Sequence, residues 1–245
     1  ISGIADGKPN VYIRWGIGPT NSSRTYPGWN IDDVEIWGNL YNPVPDILSL
    51  KTMADGSSVT IQSGKVSAVY PGYFDIQENG SYKGLRVAWP EADTEGAQVT
   101  VRGILRTRNG ERELVGAIVT QGTIGNPVKP VGMNLKSLGG TEYATPPMGQ
   151  RAVAGGIGLN NIGTLIKTAG KITQIGTDYF YIDDGSNIWD GTYTSGVKNI
   201  GVRINWPGTG FSKGQFVTIT GVSSGFINGT NFIRCILPRR ASDIQ

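Results

Sequence analysis

The chain has 245 residues, with 37 Gly, 13 Pro, one Cys and no His; charged residues make up 17% and the formal net charge is +3. Without His there is no Ser-His-Asp or Cys-His catalytic arrangement, no His-ligated zinc or haem, and no side chain that ordinarily titrates near neutrality. The 22 Lys and Arg are dispersed among 19 Asp and Glu, unlike the concentrated basic face that duplex DNA demands, and the lone Cys235 excludes an internal disulfide.

The chain begins Ile1-Ser2-Gly3-Ile4-Ala5-Asp6-Gly7, with neither an initiator Met nor the basic-then-apolar layout of a signal peptide. It is expected to be part of a longer protein or a processed product. No apolar run reaches the roughly 18 residues of a membrane span. Residues 9–38 carry Val11-Tyr-Ile-Arg-Trp15, then Trp29-Asn-Ile-Asp32-Asp33-Val-Glu-Ile-Trp37. The motif W-x-I-D-D-V-x-I resembles the closing strands of jelly-roll or MAM-like β-sandwiches attached to secreted peptidases and other surface proteins, which makes residues 1–42 the end of an incomplete sandwich. An isolated strand pair is marginal in water. Trp15, Trp29 and Trp37 are therefore expected at an interface, with other domains of the same surface protein or with a second copy through strand addition. Asp32 and Asp33 are candidate Ca²⁺ ligands. Against that stands the need for six to eight oxygens, while neighbours on a strand point to opposite faces.

Beyond residue 43 helical periodicity is almost absent. Short β-branched and aromatic runs are separated by Gly, Asn, Asp and Pro, the mark of an all-β sandwich or barrel. The runs recur. Ser63-Gly64-Lys65-Val66 matches Ala169-Gly170-Lys171-Ile172, and Tyr73-Phe74-Asp75-Ile76 matches Tyr179-Phe180-Tyr181-Ile182, both at an offset of 106. Gly84-Leu-Arg-Val-Ala-Trp89-Pro90 matches Gly201-Val-Arg-Ile-Asn-Trp206-Pro207 at an offset of 117, which places an insertion of 11 residues between Ile182 and Gly201. Each copy reads as five strands without a long crossover helix, as a Greek-key barrel requires.

These residues, G-K-[VI], then Y-F-x-I, G-[LV]-R-[VI] and V-T-[VI]-x-G, resemble the tandem OB-fold modules of secreted bacterial surface proteins. The resemblance implies one OB-like barrel over 43–122 and another over 160–245. Residues 123–159 are then a Gly/Pro-rich connector, expected to be ordered because it carries Val131, Met133, Leu135, Leu138, Val153 and Ile157.

No constellation of side chains supports catalysis. Glu91, Asp93 and Glu95 share one loop but have no counterpart in the second copy, and Asp183-Asp184-Gly185 reads as a turn. Cys235 lies in an apolar strand and is expected to be a buried, inert thiol. For ligands, the candidates are Trp189 and Tyr193 in the insertion and the basic residues Arg102, Arg106 and Arg108. Alternation in Leu85-Arg86-Val87-Ala88-Trp89 puts Leu85, Val87 and Trp89 toward the core and Arg86 outside. Two functions remain in view. One is a non-catalytic extracellular or cell-surface structural module, self-assembling into a filament or surface layer by strand pairing and buried aromatics. The other is an accessory module of a secreted hydrolase that binds single-stranded nucleic acid or glycan.

Overall fold

The computed structural model describes residues 12, 14, 41–78, 82–91, 94–143 and 149–245. The chain divides into residues 1–38 and 39–245, and every element below belongs to the second unit. Trp15, Trp29, Trp37, Asp32 and Asp33 lie outside the described residues. The architecture is mostly β.

Six strands make the first sheet: β1 (Asn42–Pro43), β2 (Ser58–Tyr70), β3 (Tyr73–Gln77), β4 (Gly84–Ala88), β5 (Ala97–Arg108) and β6 (Glu111–Ile124). Their order is β1-β2-β3-β4-β6-β5, and a further pairing of β2 with β5 closes five of them into a ring. Alternation along the strands sends Val66, Phe74, Ile76, Leu85, Val87, Val101 and Leu114 into one core, with Trp89 packed against it. Between β1 and β2 a one-turn helix, α1 (Ile47–Lys51), buries Ile47 and Leu50 in that core. Asp46 caps it, accepting the Ser49 N–H at 2.6 Å.

The second sheet contains β7 (Val131–Gly132), β8 (Leu165–Ile175), β9 (Phe180–Asp183), then β12 (Val202–Ile204), β13 (Phe216–Asn228) and β14 (Asn231–Leu237), while β10 (Trp189–Thr194) and β11 (Val197–Ile200) form a separate hairpin. The order is β13-β14-β12-β9-β8-β7, closed by β13 on β8. Register repeats with order: β4 runs parallel to β6 with Arg86 opposite Glu113, and β12 runs parallel to β14 with Arg203 opposite Cys235. The repeat also starts earlier than the matched motifs. β7 lies parallel on β8 as β1 does on β2. Asn134 then caps a 3₁₀ turn, Leu135–Ser137, by accepting the Ser137 N–H at 2.9 Å, and Leu135 and Leu138 enter the second core.

The two sheets share a seam. Ala68 of β2 clusters with Leu165 and Val222. Tyr70 Oη donates to the Leu237 carbonyl at 2.7 Å, the Leu165 N–H donates to Gln77 Oε1 at 3.0 Å, and Lys51 Nζ donates to the Ile162 carbonyl at 2.5 Å.

Candidate functional site

Arg203 sits in the middle of β12, opposite Tyr181 of β9 on one side and Cys235 of β14 on the other. Its guanidinium lies 3.9 Å from the Tyr179 ring centroid and 4.9 Å from that of Phe226. Such stacking on aromatic faces holds the cation electrostatically without neutralising it. Its Nε donates to Asn205 Oδ1 at 2.7 Å. Among the described residues no carboxylate makes an ion pair with it.

The first copy explains why. There the matching Arg86 also stacks on a tyrosine, Tyr73, at 4.4 Å, but it pairs with Glu111 Oε2 at 2.7 Å and approaches Asp75 Oδ1 at 3.9 Å. Register places Tyr181 where the first copy has Asp75, Ile233 where it has Glu111, and Cys235 where it has Glu113. Three acids around the first arginine are thus replaced by uncharged side chains around the second. Arg86, expected outside, does face away from its core, yet it is covered by the seam; Glu111 also accepts the Gly225 N–H at 2.8 Å.

Around Arg203 opens a groove of about 350 Å³, lined by Tyr179, Tyr181, Tyr193, Asn199, Phe226 and Asn228 among others. The hairpin forms one wall. Asp190 accepts the Tyr181 hydroxyl at 3.1 Å and the Thr192 hydroxyl at 2.5 Å, and Asn199 Nδ2 donates to Thr192 Oγ1 at 2.9 Å. At the rim Trp189 and Tyr193 meet edge to face, ring centroids 5.9 Å apart, each about half exposed at 46% and 53%. Lys198 Nζ stands 4.3 Å over the Trp189 ring.

Tyr193 thus lines the groove and Trp189 packs on it. Arg102, Arg106 and Arg108 line β5 of the other sheet, where Arg106 is opposite Glu113 and Arg108 opposite Glu111, and none of them reaches the groove. Arg112 is buried, with its guanidinium on Asp55, Thr107 and the Met53 carbonyl, so it serves the fold. Sequence reasoning missed Tyr179, Tyr181, Arg203 and Phe226. The repeat had already matched Arg203 to Arg86; Phe226 comes into place only when β13 closes the ring.

The other candidates are tied up. Glu95 pairs with Arg239 at 3.0 Å and with Arg240, while Asp93 is outside the described residues. Asp183 and Asp184 cap their own turn, accepting the N–H groups of Gly185 and Ser186, and Asp184 also holds the Leu135 N–H at 2.8 Å. Cys235 is buried, and burial pushes its thiol up to about 12. Among the described residues no group of three or more Cys, Asp or Glu is placed to hold a metal, and no helix is long and apolar enough to cross a membrane. Comparison of the chain with protein-family models, curated proteins and solved structures finds no match.

Proposed function

We propose that the unit is a tandem pair of OB-like barrels acting as a non-catalytic binding module, and that the groove of the second barrel takes single-stranded nucleic acid. A closed ring in the order one-two-three-five-four, with the third and fifth strands parallel, supports the OB-like reading for both sheets. The groove lies on the second and third strands of its ring, the face with which OB barrels hold oligonucleotides and oligosaccharides. The observation that carries the choice of ligand is the uncompensated Arg203 guanidinium between two aromatic rings. Bases stack on aromatic side chains for about 1–3 kcal/mol each, and an open cation meets the phosphate, whereas a neutral glycan leaves that charge unanswered. A self-associating surface subunit would be held by Trp15, Trp29 and Trp37, which lie outside the described residues; the groove supports the binding module instead. An extracellular place for such a module is part of this proposal and rests on the resemblance of its motifs to those of secreted surface proteins.

The test is fluorescence anisotropy with a labelled single-stranded DNA homopolymer at two salt concentrations. Binding should weaken with salt, and Arg203→Gln should lower affinity about tenfold and reduce the salt slope by about one phosphate contact. Absence of binding at low salt, or salt-independent capture of a neutral oligosaccharide, overturns the proposal.

A further inference from the structure

Asp75 of β3 is fully buried, and neither carboxyl oxygen has a hydrogen-bond partner. Charged and titratable groups face it from every side of the seam. Arg86 of β4 stands 3.9 Å from Oδ1, and Glu111 of β6, Lys51 of α1, Tyr70 and Tyr73 act on it or are acted on by it. Cys235 of β14 lies beside Arg86 and Glu111, and Arg239 beside Tyr70.

The two cations that act on Asp75 are committed elsewhere. Arg86 makes its close pair with Glu111 at 2.7 Å, and Lys51 Nζ donates to the Ile162 carbonyl at 2.5 Å. Both commitments hold the sheets together, because Glu111 also accepts the Ser224 hydroxyl and the Gly225 N–H, and Ile162 leads into β8. A carboxylic acid tolerates a buried place without donors; a carboxylate there must find a cation or water.

We propose that Asp75 is a proton-operated latch on the seam between the two sheets: protonated, it leaves Arg86 and Lys51 to hold the second sheet, and ionised, it competes for Arg86 and loosens the seam. Burial pushes the Asp75 carboxyl up to about 7 against the attraction of Arg86, and burial pulls the Lys51 ammonium down to about 8 against Glu111 and Asp75. An acid whose folded pKa is raised favours the folded state where it keeps its proton. Its contribution falls as pH rises from the ordinary carboxylate range through about 7 and is flat above that.

The test is amide hydrogen exchange of the wild-type chain at pH values about one unit either side of neutrality, corrected for intrinsic chemistry, read at the seam amides Leu165 and Gly225. Protection should fall about tenfold across that range, and Asp75→Asn should remove the fall. An equal fall in Asp75→Asn, or none in the wild type, overturns the latch. Where that variant does not fold, a carboxyl NMR titration of the wild-type chain decides: a midpoint near neutrality for Asp75 supports the latch, and one near the ordinary Asp value of 3.8 overturns it.

Discussion

Arg86 and Arg203 stand in the same heptapeptide pattern, on the third strand of their respective rings, stacked on matching tyrosines. What separates them is charge supplied from elsewhere in the chain. Glu111 pairs with the first while Asp75 stands beside it, and their counterparts Ile233 and Tyr181 leave the second open. The pattern G-[LV]-R-[VI] was legible in the sequence, whereas this difference was not, since the acids become comparable with their replacements only once strand register is known. Cys235 shows the opposite case. Its apolar neighbours alone indicate burial, and the structure buries it with the thiol pushed up to about 12. Reaction needs the thiolate and access to it, so Cys235 should resist a thiol reagent in the native chain at neutral pH and react fully in denaturant. Rapid modification of the folded protein, followed by mass spectrometry, would show the strand to be open.

At the level of elements, the lead-in to each ring escapes periodicity because it is too short to show any: two residues of parallel strand and a single capped turn. Asp46 and Asn134 are its only sequence signs, each followed three residues later by a Ser whose N–H it accepts. Asp46 does more than cap. Its Oδ2 takes Lys83 Nζ at 2.7 Å, and this bond with the Ser49 N–H brings its carboxyl down to about 2. Replacing a capping Asp by Ala costs about 1 kcal/mol, so Asp46→Ala should lower stability by about that much in urea unfolding at neutral pH. A folded pKa held below the unfolded value gives stability that is complete above the ordinary carboxylate range and lost as pH falls through about 2. The deficit of Asp46→Ala should therefore shrink in acid; a deficit independent of pH would show that the Lys83 pair adds nothing. The insertion, by contrast, was visible from the offset between copies, and its aromatics Trp189 and Tyr193 are about half exposed. That it is a hairpin walling a groove depends on the Asp190, Thr192 and Asn199 bonds, which no pattern of apolar residues encodes.

Across the molecule, the two rings were foreshadowed by the repeat, but the seam between them was not, because its contacts join residues far apart in the chain, such as Gln77 with Leu165 and Glu111 with Gly225. Gly84 carries the sharpest consequence. The repeat pairs it with Gly201, suggesting a shared turn, yet only Gly201 has a left-handed φ, +104°. Gly84 is required for a different reason: a Cβ there would lie 1.9 Å from the Gly163 carbonyl oxygen, so two glycine backbones meet where β4 starts and β8 is about to begin. Backbone cannot step aside as a side-chain tip can, and overpacking of this kind costs about 1–3 kcal/mol. Gly84→Ala should therefore destabilise the unit by that amount, and it should raise exchange at Leu165 and Gly225 at every pH, unlike the pH-dependent loosening assigned to Asp75. Opening by either route uncovers Arg86 over Tyr73, the first ring's counterpart of the groove. If Gly84→Ala unfolds within about 0.5 kcal/mol of the wild type, the close approach is not what sets the seam.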